Sequence, residues 1–204
     1  PSLLPTYLIS KFAKEHVNTV ITGDGADELF GGYAPLKAIK PSKLYSKIMH
    51  PAIHKILLNL VNIIPVSHSY MSLDFKIKRS LNGLSYPSHL WNPVWMSHFS
   101  KKEIEDLLMQ KVNLEEIYSE AIQIWNSIEK KDEIDKSLEF FTKLYLTENI
   151  LVKVDRSSMM NSLECRAPYL DNEVVEFARK LPNKFKIFRN ETKYILKKTA
   201  EKSL

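Results

Sequence analysis

Four of the five glycines, Gly23, Gly25, Gly31 and Gly32, fall between residues 23 and 32, with the carboxylates Asp24, Asp27 and Glu28 among them. Glycine admits positive φ and lets backbone N–H groups approach a ligand closely. A bare strand-to-helix turn would call for one or two glycines and no acids. The loop carries no Lys or Arg, so it is not expected to cradle phosphate by charge. Carboxylates beside a nucleotide act through Mg²⁺, or accept hydrogen bonds from ribose hydroxyls or a substrate amine. Asp27 and Glu28 also open the following helix, where a carboxylate meets the positive end of the helix dipole. Glu28 is the better placed of the two for that capping role.

The elements around the loop fit such a site. Ser2 is a candidate N-cap with Pro5 in the first turn, and Leu4, Leu8 and Phe12 recur on one helical face. Val17, Val20 and Ile21 form a short β-prone run that leads into the loop. Helix, strand and glycine loop in succession is the grammar of an α/β nucleotide-binding fold. Beyond residue 36 the pattern is mainly helical: 37–64, with starts at Pro41 and Pro51, then 101–111, 114–129, 137–160 with a break near Ser162, 173–180 ended by Leu181-Pro182, and 192–202. Residues 65–93 read as loop-rich, punctuated by Asn82, Gly83 and Pro87. One credible strand cannot make a parallel sheet, so further strands are expected upstream of the chain.

Composition narrows the class. The chain has 204 residues, 44% hydrophobic and 26% charged, an ordinary globular balance. Its net charge of +5 is dispersed, with Lys and Arg mixed among Asp and Glu, so no nucleic-acid partner is expected. The most apolar run, 56–66, is short and broken by Asn59 and Asn62, so no membrane partner is expected. The single cysteine, Cys165, fits a reducing cytoplasm and reads as a packed residue, not a nucleophile. His50 and His54 are spaced i, i+4 without an acid to complete a zinc site, which makes them a surface pair. There is no initiator Met, and the helix pattern from Tyr194 runs to the last residue without a stop signal. The chain is therefore expected to be a piece of a longer protein.

Three segments together resemble the asparagine synthetase family: the loop Val20-Ile-Thr-Gly-Asp-Gly-Ala-Asp-Glu-Leu-Phe-Gly-Gly-Tyr33, the stretch Val154-Asp-Arg-Ser-Ser-Met-Met-Asn-Ser-Leu-Glu-Cys-Arg-Ala-Pro-Tyr-Leu-Asp171, and the lysine-bearing helix Lys193-Tyr-Ile-Leu-Lys-Lys198. The opening Pro1-Ser-Leu-Leu-Pro-Thr6 is similar as well, and residues 65–150 are least diagnostic. The resemblance implies a predominantly helical α/β fragment of an adenine-nucleotide hydrolase-like synthetase domain, spanning residues 1–204 with helix, strand and glycine loop in 1–36. It implies an ATP-dependent ligase that adenylates the carboxylate of aspartate or an analogue and then amidates it with ammonia from glutamine.

Residue by residue, the resemblance places Thr22, Gly23, Asp24 and Gly25 at the nucleotide and the activated acid, and Asp27 at Mg²⁺. Thr22 keeps the hydroxyl of the family's more usual serine, and Asp24 stands one methylene shorter than the usual glutamate. Lys193 would supply charge to the transition state and pyrophosphate. By analogy with lactam-forming relatives, Tyr33 and Glu164 would orient that lysine. Arg156 is a candidate phosphate contact, with an ion pair as the equally weighted alternative. Arg166 and Asp171 read as a buried salt bridge holding a loop.

The family's Ser-Gly-Gly-x-Asp-Ser pyrophosphate loop and the N-terminal cysteine of its glutaminase domain do not occur in the 204 residues. The resemblance therefore implies a partner glutaminase domain in the parent chain, a homodimer as one form of assembly, and a fragment inactive by itself. Asparagine need not be the product, because the same domain serves amidotransferases of surface-polysaccharide and peptide-modifying pathways. A non-catalytic helical binding module that kept the loop is the alternative from another class.

Overall fold

The structure, a computed structural model, describes residues 2–65, 67, 72–128 and 132–203. It divides the chain into two compact units: residues 1–36 with 137–204, and residues 37–136.

The first unit is built on helix α1, Leu3–Lys14, packed against α11, Val152–Met159. Buried Ser157 and Ser158 on α11, with buried Ser10 on α1, keep this contact small and close. Asn161 Nδ2 donates to the Ser157 carbonyl at 2.9 Å and ties the end of α11. Ser2 stands at the N-cap of α1, yet its hydroxyl makes no capping bond; Thr6 Oγ1 donates to the Ser2 carbonyl instead. The Leu4, Leu8 and Phe12 face is exposed, because α11 covers the opposite side.

After α1 comes β1, Thr19–Ile21, which pairs in parallel with β2, Glu164–Arg166, in the register Val20 to Cys165. The second strand corrects the reading of a single one. Only its middle residue faces inward, so its sequence, charged at both ends, lacks an apolar signal. The chain then turns through the glycine loop into α2, Ala26–Phe30, whose Leu29 and Phe30 form a core with Ala178 of α12, Asn172–Lys180. After the short helix α13, Asn183–Lys186, Ile195 and Leu196 of α14, Tyr194–Ser203, pack on the same cluster. Before α11 the helix α10, Glu133–Phe140, runs into a π-helical stretch, Phe141–Leu151. Long π segments are rare and concentrate at functional sites.

The second unit is a helical assembly. Helix α3, Ala34–Ile48, enters it with Pro41 in its interior and not at its start, so one i→i−4 bond is forgone there. Pro51 does open α4, Pro51–Ile63. The segment read as loop-rich contains α5, Leu73–Leu84, whose Gly83 lets the Trp95 indole press against the helix backbone. Its core holds Leu90, Trp91 and Trp95 of the following turn and α6, Trp91–Met96, with the two indoles stacked at 5.6 Å. Helix α7, Lys101–Leu108, begins with a full capping box between Ser100 and Glu103. Helices α8, Leu114–Ile117, and α9, Ser119–Asn126, supply buried Leu114, Ala121 and Trp125.

Candidate functional site

The site is the end of β1 and the turn into α2, in the first unit. Thr22 N–H donates to the Arg166 carbonyl at 2.7 Å and extends the parallel ladder by one residue, so the loop leaves from the carboxyl end of the strand pair. Ligands of parallel α/β sheets bind at that end. Gly25 has φ +90°, and a Cβ there would collide with the Leu170 side chain. Gly31 ends α2 in the left-handed region at φ +70°. At Gly32 a Cβ would strike the Asp27 carboxylate. Three of the four loop glycines are thus required by the chain itself. Gly23 differs: its φ is not positive, and a Cβ would meet nothing within 4 Å. Its lack of a side chain leaves open space beside the half-buried Thr22 and Asp24.

Asp27 and Glu28, adjacent in the first turn of α2, do different things. Asp27 Oδ1 is 3.0 Å from Lys193 Nζ, with both side chains partly exposed. Glu28 is buried at 2% exposure and accepts a very short hydrogen bond from the Tyr33 hydroxyl. Burial raises the Glu28 pKa, opposed by the Tyr33 bond and by its own backbone N–H, with the charges of Asp27 and Asp24 adding to the rise. Burial likewise pushes the Tyr33 hydroxyl up, with its bond to Glu28 as the next cause. The Tyr33 ring stacks on fully buried Phe141 at 4.4 Å and meets Tyr145 edge-on at 5.5 Å, both from the π-helical stretch. The capping role expected of Glu28 is therefore only part of its work: its carboxyl is the anchor for Tyr33.

Lys193 reaches Asp27 from a strained position. Phe188 and Glu191 exchange two backbone hydrogen bonds around Arg189 and Asn190, both at positive φ, the geometry of a two-residue primed turn. Lys193 follows at φ +51° and caps α14 through its carbonyl to Lys197 N–H at 3.1 Å. A non-glycine residue held left-handed costs of order 1–3 kcal/mol, and such positions cluster at functional sites. Lys197 and Lys198 of the same helix pair with Glu191 and Glu201 and are exposed.

Glu164 does not join Tyr33. Strand β2 turns it outward, where it takes the Arg166 guanidinium at 2.8 Å and the Thr19 hydroxyl at 3.2 Å. Those bonds, Arg166 first, hold its pKa below the usual glutamate value. Arg166 is consequently exposed and paired with Glu164, not buried with Asp171; Asp171 caps α12 by accepting from Glu173 N–H. Residues i and i+2 of a strand share a face, which is why the nearer acid wins. Arg156 lies exposed on α11 with no ion pair to any described residue. Cys165 sits half-buried at the middle of β2. His50 caps α4 by accepting from Ala52 N–H, and His54 bonds Tyr45 and Ser85.

The family model described as asparagine synthase matches residues 1–204. The chain belongs to the asparagine synthase family. It is similar to asparagine synthetase [glutamine-hydrolyzing] 1 of Bacillus subtilis, at 30% identity over 98% of this chain and 30% of that protein. A putative asparagine synthetase of Mycobacterium tuberculosis is 31% identical over 98% of this chain and 30% of its own length. Another, from Methanocaldococcus jannaschii, is 29% identical over 76% of this chain. The chain thus spans about 30% of the length of the first two of these curated relatives. No solved structure gives a significant match. The helix-rich fold, with one small parallel sheet among the described residues, is consistent with a fragment of an asparagine synthase domain.

Proposed function

We propose that this chain is part of an ATP-dependent carbon–nitrogen ligase of the asparagine synthase type. In the first step a carboxylate of aspartate or an analogue attacks the α-phosphorus of ATP, forming an acyl-adenylate and releasing pyrophosphate. In the second, ammonia from glutamine attacks the acyl carbon, AMP leaves with the C–O bond electrons, and a proton is lost from nitrogen. The relatives named glutamine-hydrolyzing support an ammonia source in a glutaminase domain of the parent.

One observation carries the reading: the strained Lys193, from the far end of the chain, faces the acid of the glycine loop at 3.0 Å. Lys193 supplies positive charge where the adenylyl phosphate and leaving pyrophosphate develop negative charge. Thr22 and the backbone around Gly23 line the approach, and the open space at Gly23 suits close passage of a nucleotide. Arg156, exposed and unpaired among the described residues, is available to phosphate oxygen as a bidentate donor. Tyr33 and Glu28 hold the loop's far end against the aromatic cluster and so fix Asp27.

Asp27 is the residue that would hold Mg²⁺, which supplies charge neutralisation of the nucleotide phosphates when bound. The donor chemistry fits: one hard carboxylate, with Oδ1 on Lys193 and no hydrogen bond to Oδ2 among the described residues. No group of three or more His, Cys, Asp or Glu side chains is assembled among those residues, which suits an ion held chiefly by phosphates. The free thiol of Cys165 agrees with a reducing compartment.

The test is aspartate-dependent ATP–pyrophosphate exchange by the parent protein carrying this chain. Exchange with aspartate that falls away in Lys193→Ala supports the reading. Exchange unaffected by that change removes Lys193 from it. The 204-residue chain alone, which lacks the Ser-Gly-Gly-x-Asp-Ser loop, is expected to give no exchange.

A further inference from the structure

The strongest feature outside the site is a surface of the second unit. In α3 and α4, six large aliphatic side chains, Leu44, Ile48, Ile53, Ile56, Leu60 and Ile63, are each 51–76% exposed. On α4 the last four stand at i, i+3, i+7 and i+10, one face of a helix. The opposite side of the pair is fixed: Tyr45 and His54 bond each other at 3.0 Å, and His54 bonds Ser85. The aliphatic face is therefore not a core awaiting a repacked helix of its own unit. An exposed apolar helix face such as that of α4 marks an interaction site.

Charge says what kind. From residue 29 to residue 73 the sequence contains no Asp or Glu, and five lysines with no arginine. Lys43 is paired with Glu133. Lys37, Lys40, Lys47 and Lys55 are exposed and have no ion pair among the described residues. Protein interfaces favour Tyr, Trp and Arg and are depleted in Lys. This face has the reverse composition, aliphatics edged by lysine. That combination suits a surface that takes up apolar side chains shallowly and is anionic throughout, as an acidic lipid headgroup layer is.

We propose that the α3–α4 face is a peripheral docking surface for an anionic lipid bilayer. No helix among the described residues is long and apolar enough to cross one, so the contact is along the surface. The short, interrupted apolar run in this part of the sequence bears on spanning and is silent on lying at an interface.

Cosedimentation of the parent protein carrying this chain with vesicles tests this. Binding should be about tenfold or more tighter to phosphatidylcholine vesicles containing phosphatidylglycerol than to phosphatidylcholine alone, and should weaken with salt. Ile56→Asp with Leu60→Asp, and separately Lys40→Glu with Lys47→Glu, should bring binding down to the neutral-vesicle level while far-UV circular dichroism stays unchanged. Leu107→Asp with Met109→Asp, at apolar side chains 72% and 92% exposed beside α7, should leave binding intact. Equal binding to both vesicle types, or equal loss in the α7 variant, overturns the proposal. So does self-association abolished by the Ile56/Leu60 variant, which assigns the face to a second copy. Binding to polyglutamate without binding to vesicles assigns it to an acidic protein and overturns it equally.

Discussion

The two units differ in where positive-φ backbone is concentrated. Of the positive-φ residues described, Gly25, Gly31, Ser162, Arg189, Asn190 and Lys193 belong to the first unit, and only Met109, at the end of α7, to the second. The first unit also buries Glu28 against Tyr33. The second unit holds all three tryptophans of the chain in or beside its core, caps α7 with a complete capping box and packs Trp91 on Trp95. One unit holds the Glu28–Tyr33 pair and most of the positive-φ residues described; the other is built chiefly on its tryptophans and helix caps. Positive φ concentrated in one unit, in the glycine loop, at Ser162 and along Arg189–Lys193, is the pattern expected of a functional site on a supporting scaffold.

The largest expected effect breaks function without breaking fold. Lys193→Ala in the parent should lower ATP–pyrophosphate exchange by about 10²–10³-fold, the scale of losing one transition-state charge contact. The denaturation midpoint should barely move, because the Asp27 pair is partly exposed. Next, the loop glycines should separate. Gly25→Ala should destabilise the first unit by about 1–3 kcal/mol through left-handed strain and the Leu170 clash. Gly23→Ala should leave stability unchanged and reduce exchange, as judged by urea unfolding followed by circular dichroism beside the assay. Similar stability losses at both positions would erase the distinction drawn between them.

In the second unit, Gly83→Ala should cost about 1–3 kcal/mol by driving a methyl into the Trp95 indole. In the 204-residue chain tryptophan fluorescence reports on that unit alone, so the midpoint should fall there, while exchange by the parent at low denaturant persists. The smallest effect is electrostatic. The folded pKa of Glu164 is depressed, so its contribution is present above the ordinary value of 4.5 and is lost as pH falls below it. Glu164→Gln should therefore flatten the acid limb of the stability profile slightly and leave the neutral range nearly unchanged. A loss of activity in that variant at neutral pH would restore Glu164 to the site.

Much of the frame was legible from residue types. The helices over 173–180 and 192–202 appear as Asn172–Lys180 and Tyr194–Ser203, and the break at Ser162 is a left-handed residue. Strand β2 was hidden because three residues carry too little period to register. Helix α5 was hidden because Asn82 and Gly83 look like turn residues until Trp95 is placed against them. In the site, the concentration of glycine and acid marked the loop, and the family motif marked Lys193. The partnership of Tyr33 with Glu28 was not legible. A carboxylate in the first turn of a helix reads as a cap, and its burial depends on Phe141 and Tyr145, far along the chain. Arg166 went to Glu164 for a reason visible only once β2 is known to be a strand.

The pairing of β1 with β2 joins residues as far apart as Thr19 and Glu164, 145 positions in sequence, with the second unit encoded wholly between them. Loop-closure entropy grows only slowly with length, but contacts of such separation slow the search for the native topology. During synthesis the second unit is complete before Glu164 is made. The glycine loop and Lys193 therefore meet last, so the chain gains its chemical arrangement only after its intervening scaffold has had time to form.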